Sequence, residues 1–221
     1  MADEQVSFLS GFESDQPMEA DALQSKCVLV FLAEGFEDSE AAVLVDVLGW
    51  THYRPTIACI DVEIAALHKV VHGAFGSSYE ADVLIADTEI DRYDALVIPG
   101  GFHNRGFDEA YCEEVRDLAR AAHVRGIPIA TMCVGVLPVA ESGVLVGRVA
   151  TTYALSSRHD NEGRLREMGC TVASGTFAVD GGVISCSGPA QAEEVAFELL
   201  KQLVGSQAAE EVARYRRGKS W

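Results

Sequence analysis

An α/β fold with a mostly parallel sheet and helices on both faces is what this 221-residue sequence predicts. Short apolar runs alternate with helical patterns along the chain. The runs are apolar throughout rather than alternating with polar residues, as strands buried between two helical layers must be. No internal repeat and no Pro/Gly/Ser-rich linker divides the sequence, so one domain is expected over 25–205. An acidic N-terminal extension (1–24) would precede it and a C-terminal helical tail (206–221) would follow.

Each element follows from its local pattern. CVLVFLA (27–33) reads as a buried strand, followed by a turn and a helix from Asp38 to Leu48. RPTIACI (54–60) is expected to be the next strand. Residues 68–85 read as short strands and a hairpin, punctuated by Gly73 and Gly76. YDALVIPGG (93–101), a long helix through EVRDLARAAHVRG, and the strand IPIATMC (127–133) come next, with a helix from about Val134. VATTY (149–153), the helix GRLREMG, CTVAS, FAVDGGVISC (177–186) and the helix AEEVAFELLKQLVG complete the expected core.

Composition narrows the function classes. Hydrophobic residues at 48% and charged residues at 23% are ordinary for a globular chain and exclude collagen-like or disordered sequence. Lys+Arg 17 against Asp+Glu 34 gives a formal charge of −17. That balance argues against electrostatic binding to nucleic acid or to anionic membranes. The extension carries Asp3, Glu4, Glu13, Asp15, Glu19 and Asp21 and no Lys or Arg, unlike a secretory signal. A soluble, cytoplasmic protein is the expectation. Cys27, Cys59, Cys112, Cys133, Cys170 and Cys186 form no CxxC pair, so free thiols are expected rather than a disulfide or zinc framework.

In open α/β sheets ligands bind beyond the carboxyl ends of the strands. Three strand ends carry unusual residues: AEGFEDSE, PGGFHNRG and MCVG. Cys133 ends its strand and Val134–Gly135 opens a helix, the layout of a nucleophile elbow, although Val134 is larger than such turns favour. A thiol there would face a helix N-terminus and have a lowered pKa. Spacing alone leaves a second reading open, a core cysteine at a strand–helix junction. Gly100 and Gly101 could direct backbone N–H groups into a cleft, or simply make a tight turn. Glu37 and Asp38 suit the first turn of a helix as caps. Glu40 lies one turn in, among apolar neighbours, where a carboxyl beside the thiol would be protonated and could donate to sulfur. RGKS (217–220) imitates a phosphate loop, but Ala213 stands where that motif needs Gly.

LAEGFEDSEAAVLVDVL, YDALVIPGGFH, ATMCVGVLPVAESGVLVGRVATTY and ISCSGPAQAEEVAFELLKQLVG, in that order, resemble the ThiJ/PfpI superfamily over Cys27 to Gly205. The resemblance implies a flavodoxin-like three-layer sandwich, of the class I glutamine amidotransferase-like kind, and a homodimer. It implies Cys133 as the reactive cysteine, Glu40 as its carboxyl partner, and Gly100, Gly101 and Val134 as backbone oxyanion donors. One departure stands out. Relatives with a catalytic histidine carry it directly after the cysteine or just beyond the next strand, and here those places hold Val134 and Tyr153. Tyrosine also occurs at the second place in a subset of bacterial relatives. His103, in the PGGFHNRG loop, is the best remaining imidazole, with a solvated loop residue as the other reading; His159 is the weaker candidate. Cys133, His103 and Glu40 lack metal-ligand spacing, so no metal is expected, and the resemblance implies chemistry without a cofactor.

Two functions follow from the resemblance. One is a cysteine-dependent glyoxalase or deglycase acting on small electrophilic carbonyls, with Cys133 as nucleophile and Glu40 as proton shuttle. The other is a redox-responsive or chaperone-like stress protein in which Cys133 is oxidised, reversibly or to a sulfinate. A peptidase or amidase needs an imidazole base and is disfavoured by Val134 and Tyr153.

Overall fold

The computed structural model describes residues 23–218. The acidic extension up to residue 22 and the last two residues of RGKS lie outside them. The chain runs β1 (Lys26–Phe31), α1 (Asp38–Gly49), β2 (Ile60–Ala66), β3 (Val70–His72), β4 (Ser78–Glu80), β5 (Val83–Leu84), β6 (Ala95–Ile98), α2 (Glu113–Arg125) and β7 (Ile129–Met132). It continues through α3 (Val136–Glu141), β8 (Val149–Ala150), α4 (Asn161–Glu167), β9 (Thr171–Val172), β10 (Phe177–Asp180), β11 (Val183–Cys186), α5 (Ala192–Val204) and α6 (Ser206–Arg216).

The main sheet has the order β10-β11-β7-β6-β1-β2-β5, parallel throughout except for β10. Its central strand shows why the layers form. In β1, Val28 and Val30 face one layer while Leu29 and Phe31 face the other, and all four are at most 1% exposed. One layer holds α1, α5 and α6, the other α2, α3 and α4. The expected α/β sandwich, flavodoxin-like with a mostly parallel sheet, is the observed architecture. Helix α6 packs on the body through Ala209 and Val212, and its Arg216 reaches Asp46 and Glu193, each at 2.7 Å. Among the described residues no helix is long and apolar enough to cross a membrane.

Three local expectations need correction. RPTIACI is not a strand: Trp50–Tyr53 forms a 3-10 turn, Ile57 N–H bonds back to Arg54, and the ladder begins only at Ile60. Pro55 sits inside that stretch without an N–H to offer a ladder. VATTY pairs only at Val149–Ala150, because the next two residues find other partners. Thr151 N–H goes to Ser185 Oγ at 3.1 Å and Thr152 Oγ1 to the Cys133 carbonyl at 3.0 Å. Asp38 is no cap; its carboxylate accepts from the N–H groups of Phe75 at 2.9 Å and Ser77 at 2.8 Å, holding the β3–β4 turn over the start of α1. FAVDGGVISC is the antiparallel hairpin β10–β11, turned at Gly181 and Gly182, both at positive φ.

Candidate active site

Strands β1, β6 and β7 are parallel neighbours, so AEGFEDSE, PGGFHNRG and MCVG emerge at one edge of the sheet. Cys133 lies immediately past β7, at the first position of a 3-10 turn that leads into α3. Its φ is +53°, and among the described residues it is the one non-glycine residue with positive φ. That conformation costs an L-residue roughly 1–2 kcal/mol, so its surroundings must hold it there. Thr152 holds its carbonyl. Gly135 lets the turn press against β6, since a Cβ there would stand 2.4 Å from the carbonyl oxygens of both Ile98 and Pro99.

Glu40 reaches the same spot from α1. It begins the buried stripe Glu40, Leu44, Val47 and Leu48, whose spacing places all four on one helix face. The start of that helix is tied to the end of β6 in both directions. Glu37 N–H donates to the Gly100 carbonyl at 2.8 Å, and Gly100 N–H donates to Glu40 Oε2 at 2.7 Å. Glu37 also caps α1, its Oε2 accepting from Glu40 N–H at 2.8 Å. Gly100 must be glycine, since a Cβ would lie 2.5 Å from Cys133 Cβ and 2.9 Å from the Met132 carbonyl oxygen. Glu40 is fully buried, and its second oxygen, Oε1, has no hydrogen-bond partner among the described residues.

Burial sets the ionisation of the pair. It lifts the Glu40 carboxyl to about 8, against the pull of the Gly100 N–H, and the nearby Glu37 adds to the rise. At neutral pH Glu40 is therefore mostly a carboxylic acid, and Oε1, the oxygen that Gly100 does not engage, is the one free to carry its proton. Burial also pushes the Cys133 thiol far above its ordinary value, charge on Glu40 would push it further, and the Val134 N–H works against both. The expected lowering by a helix N-terminus is thus overturned. Cys133 is only 9% exposed, and the six-residue α3 offers too little to offset its desolvation.

The proposed oxyanion donors divide. Val134 N–H points at the Cys133 sulfur. Gly101 N–H makes no hydrogen bond among the described residues, while Gly100 spends its own on Glu40 and serves to position that carboxyl. The other two candidates make no hydrogen bond to the thiol. Tyr153 is 36% exposed, sits beside Gly188, and its phenol has no hydrogen-bond partner among the described residues. Asn161 Nδ2 holds only its backbone carbonyl, at 2.8 Å. His103 is engaged elsewhere, its Nε2 3.2 Å from the Tyr111 hydroxyl and its ring stacked on His159 at 4.8 Å. Burial, with His159 and Arg164 nearby, lowers its pKa despite Asp108. Neither residue supplies a base hydrogen-bonded to Cys133.

Sequence reasoning passed over Cys186. It ends β11 opposite Met132, is fully buried, and donates its S–H to the Gly188 carbonyl at 3.4 Å. The one signal available was its place at a strand end just before a Ser-Gly-Pro turn. Beside this corner a cleft of about 420 Å³ opens between Thr152, Tyr153, Ser174, Thr176, Ser187 and Gly188. Among the described residues no group of three or more His, Cys, Asp or Glu side chains is arranged to hold a metal ion.

The DJ-1/PfpI family model matches residues 26–202, nearly the whole described chain. The chain belongs to the DJ-1/PfpI family. Within it, protein DJ-1alpha of Drosophila melanogaster is 30% identical over 196 residues, covering 86% of this chain and 85% of that protein. Deglycase PfpI of Pyrococcus furiosus is 33% identical over 128 residues, 57% of this chain and 71% of that protein. The crystal structure of Drosophila DJ-1beta superposes with a TM-score of 0.74 at 28% identity, covering 86% of this chain and 97% of that one.

Proposed function

We propose that this DJ-1/PfpI-family protein is a cysteine-dependent enzyme acting on small electrophilic carbonyls, with 2-oxoaldehydes as the substrate class. The observation that carries the reading is the unpartnered Oε1 of Glu40, buried beside a thiol on a left-handed elbow. The Cys133 sulfur adds to the aldehyde carbon, forming a C–S bond, and the carbonyl oxygen takes up a proton. The N–H groups of Val134 and Gly101 are the donors available to that oxygen as charge develops. Glu40, in the carboxylate form that a pKa of about 8 leaves available, takes the hydrogen of the former aldehyde carbon as a proton and returns it to the adjacent carbonyl carbon. The hydroxyl proton on the first carbon passes to the oxygen of the second, and the resulting 2-hydroxy thioester is hydrolysed by water to the hydroxy acid, freeing the Cys133 thiol. A carboxyl with a pKa of about 8 can both give and accept a proton near neutral pH. The name of the Pyrococcus relative, a deglycase, supports a carbonyl-directed reading.

Amide hydrolysis asks for more. The leaving amine must be protonated, and no imidazole hydrogen-bonds Cys133. A second reading, a redox-responsive stress protein, is favoured by one feature: an oxidised sulfur would find a neutral Glu40 O–H and the Val134 N–H as donors to its oxygens. Methylglyoxal turnover by the wild-type protein and by Cys133→Ser separates the two. Cys133-dependent turnover supports the enzyme, and inactivity of the wild type on every small aldehyde leaves the redox reading.

A further inference from the structure

Cys133 has a sulfur neighbour. Parallel pairing of β11 with β7 sets Cys186 opposite Met132, so Cys133 is one residue further along the adjacent strand. Cys133 leaves β7 one residue past that pairing, in a left-handed turn. One residue of rise and one strand spacing would put its Cα roughly 6 Å from that of Cys186, within the Cα span of a disulfide. The Cys133 backbone bears on the Cys186 thiol, the two thiols influence each other electrostatically, and Glu40 acts on both. Cys133 Cβ and Glu40 Oε2 both border the space where a Gly100 side chain would be, at 2.5 and 3.1 Å from it. The remaining thiols lie elsewhere: Cys170 at the β9 edge, Cys112 ahead of α2, Cys59 just before β2, and Cys27 inside β1.

We propose that Cys186 is the resolving thiol of Cys133, so that oxidation of the elbow cysteine ends in an intramolecular disulfide rather than a sulfinate. The inference rests on Cys133 being the reactive cysteine of the proposed function. A hydroperoxide transfers one oxygen to the Cys133 sulfur, giving a sulfenic acid and releasing water or an alcohol. The Cys186 sulfur then attacks that sulfur, the S–O bond breaks, the hydroxide leaves with the Cys186 proton as water, and the S–S bond forms. Two electrons have passed from the dithiol to the peroxide. A low-molecular-weight thiol restores both S–H groups by exchange.

Complete burial suits Cys186 to this role. Oxidant does not reach it from solvent, and burial holds its pKa near 12, so it stays an idle thiol. Its partner is supplied by the fold, so condensation is unimolecular and competes with a second, bimolecular peroxide step. The S–H is now held by the Gly188 carbonyl, on the turn that lines the adjacent cleft, so bridging would free that carbonyl and alter the cleft wall.

The test is limited peroxide treatment of the purified full-length protein, followed by intact mass and non-reducing peptide mapping. The expected wild-type product has lost two hydrogens, yields a linked Cys133–Cys186 peptide, and reverts fully with dithiothreitol. Cys186→Ser and Cys186→Ala should instead gain two oxygens on Cys133 and fail to revert. A wild type that accumulates the same Cys133 sulfinate as these variants, with no linked peptide, overturns the inference while leaving Cys133 as the reactive cysteine. A wild type in which peroxide leaves Cys133 untouched overturns the reading beneath it as well. The linked peptide is read on the wild-type protein, so a variant that fails to fold does not obscure the result.

Discussion

Gly100 gives its backbone N–H to Glu40 Oε2 at 2.7 Å, and this bond decides which carboxyl oxygen is left for chemistry. It fixes Oε2, leaves Oε1 without a partner, and holds the carboxyl beside the Cys133 turn. An amide that would otherwise be available to an oxyanion is used to aim a proton. The arrangement is costly to the fold, because a carboxyl that ionises near 4.5 in an unfolded chain is kept neutral to about 8.

That cost has a sign that can be measured. A raised carboxyl pKa means that the folded state binds more protons than the unfolded one between pH 4.5 and about 8. The contribution of Glu40 to stability is fully present below pH 4.5 and is lost as pH rises through that window. Glu40→Gln, which cannot ionise, should therefore gain stability relative to wild type across it, by at most about 1.4 kcal/mol per pH unit. Urea melts at pH 5, 6.5 and 8 check this, and parallel pH profiles for the two proteins would contradict it.

The same substitution should damage catalysis. An amide cannot carry a proton, so Glu40→Gln should lower methylglyoxal turnover by roughly 10²–10⁴-fold, the range typical of a lost general acid or base. Cys133→Ser should lose roughly 10³-fold or more. Steady-state assays with both folded variants decide the point.

Tyr153→Phe and His103→Ala should each lose less than the ~10²-fold expected of a general acid or base, because neither side chain hydrogen-bonds Cys133. A full collapse of turnover in either variant would assign it a direct role. Hydrolysis of peptides or glutamine by the wild type would overturn the preference for carbonyl substrates.

Gly100→Ala should be among the most damaging small substitutions in the chain. Its methyl group would meet Cys133 Cβ and the Met132 carbonyl, neither of which is the far end of a flexible side chain. A loss of about 1–3 kcal/mol is expected from overpacking, together with loss of turnover. Thermal melts alongside the methylglyoxal assay give both readouts.

Thr152→Val removes the hydroxyl that donates to the Cys133 carbonyl. Leaving that buried acceptor unpaired should cost about 1–3 kcal/mol and loosen the left-handed elbow. Turnover should fall with it even though Thr152 contributes nothing to the thiol itself, and a variant with wild-type melting and wild-type turnover would show that the elbow is held by other contacts.

Much was legible before any tertiary contact was known. Apolar runs mark β1, β6 and β7, and the residues that end them are chemically unusual because parallel strands bring such ends to one edge. Glu40 could be found because a carboxyl at the head of the stripe Leu44, Val47 and Leu48 has to face inward. These are short-range facts, carried by helical and strand periods and by turn chemistry. The tertiary structure alone decided how those groups behave. Burial drives the Cys133 thiol up where its position before a helix argued for down. Gly100 was read as a donor to substrate and became a support for Glu40. His103 is drawn to Tyr111 and His159. Cys186 stands beside Cys133 because β11 lies next to β7. Charge and desolvation act through space, so they depend on which distant segments meet, and no local pattern in the chain records that.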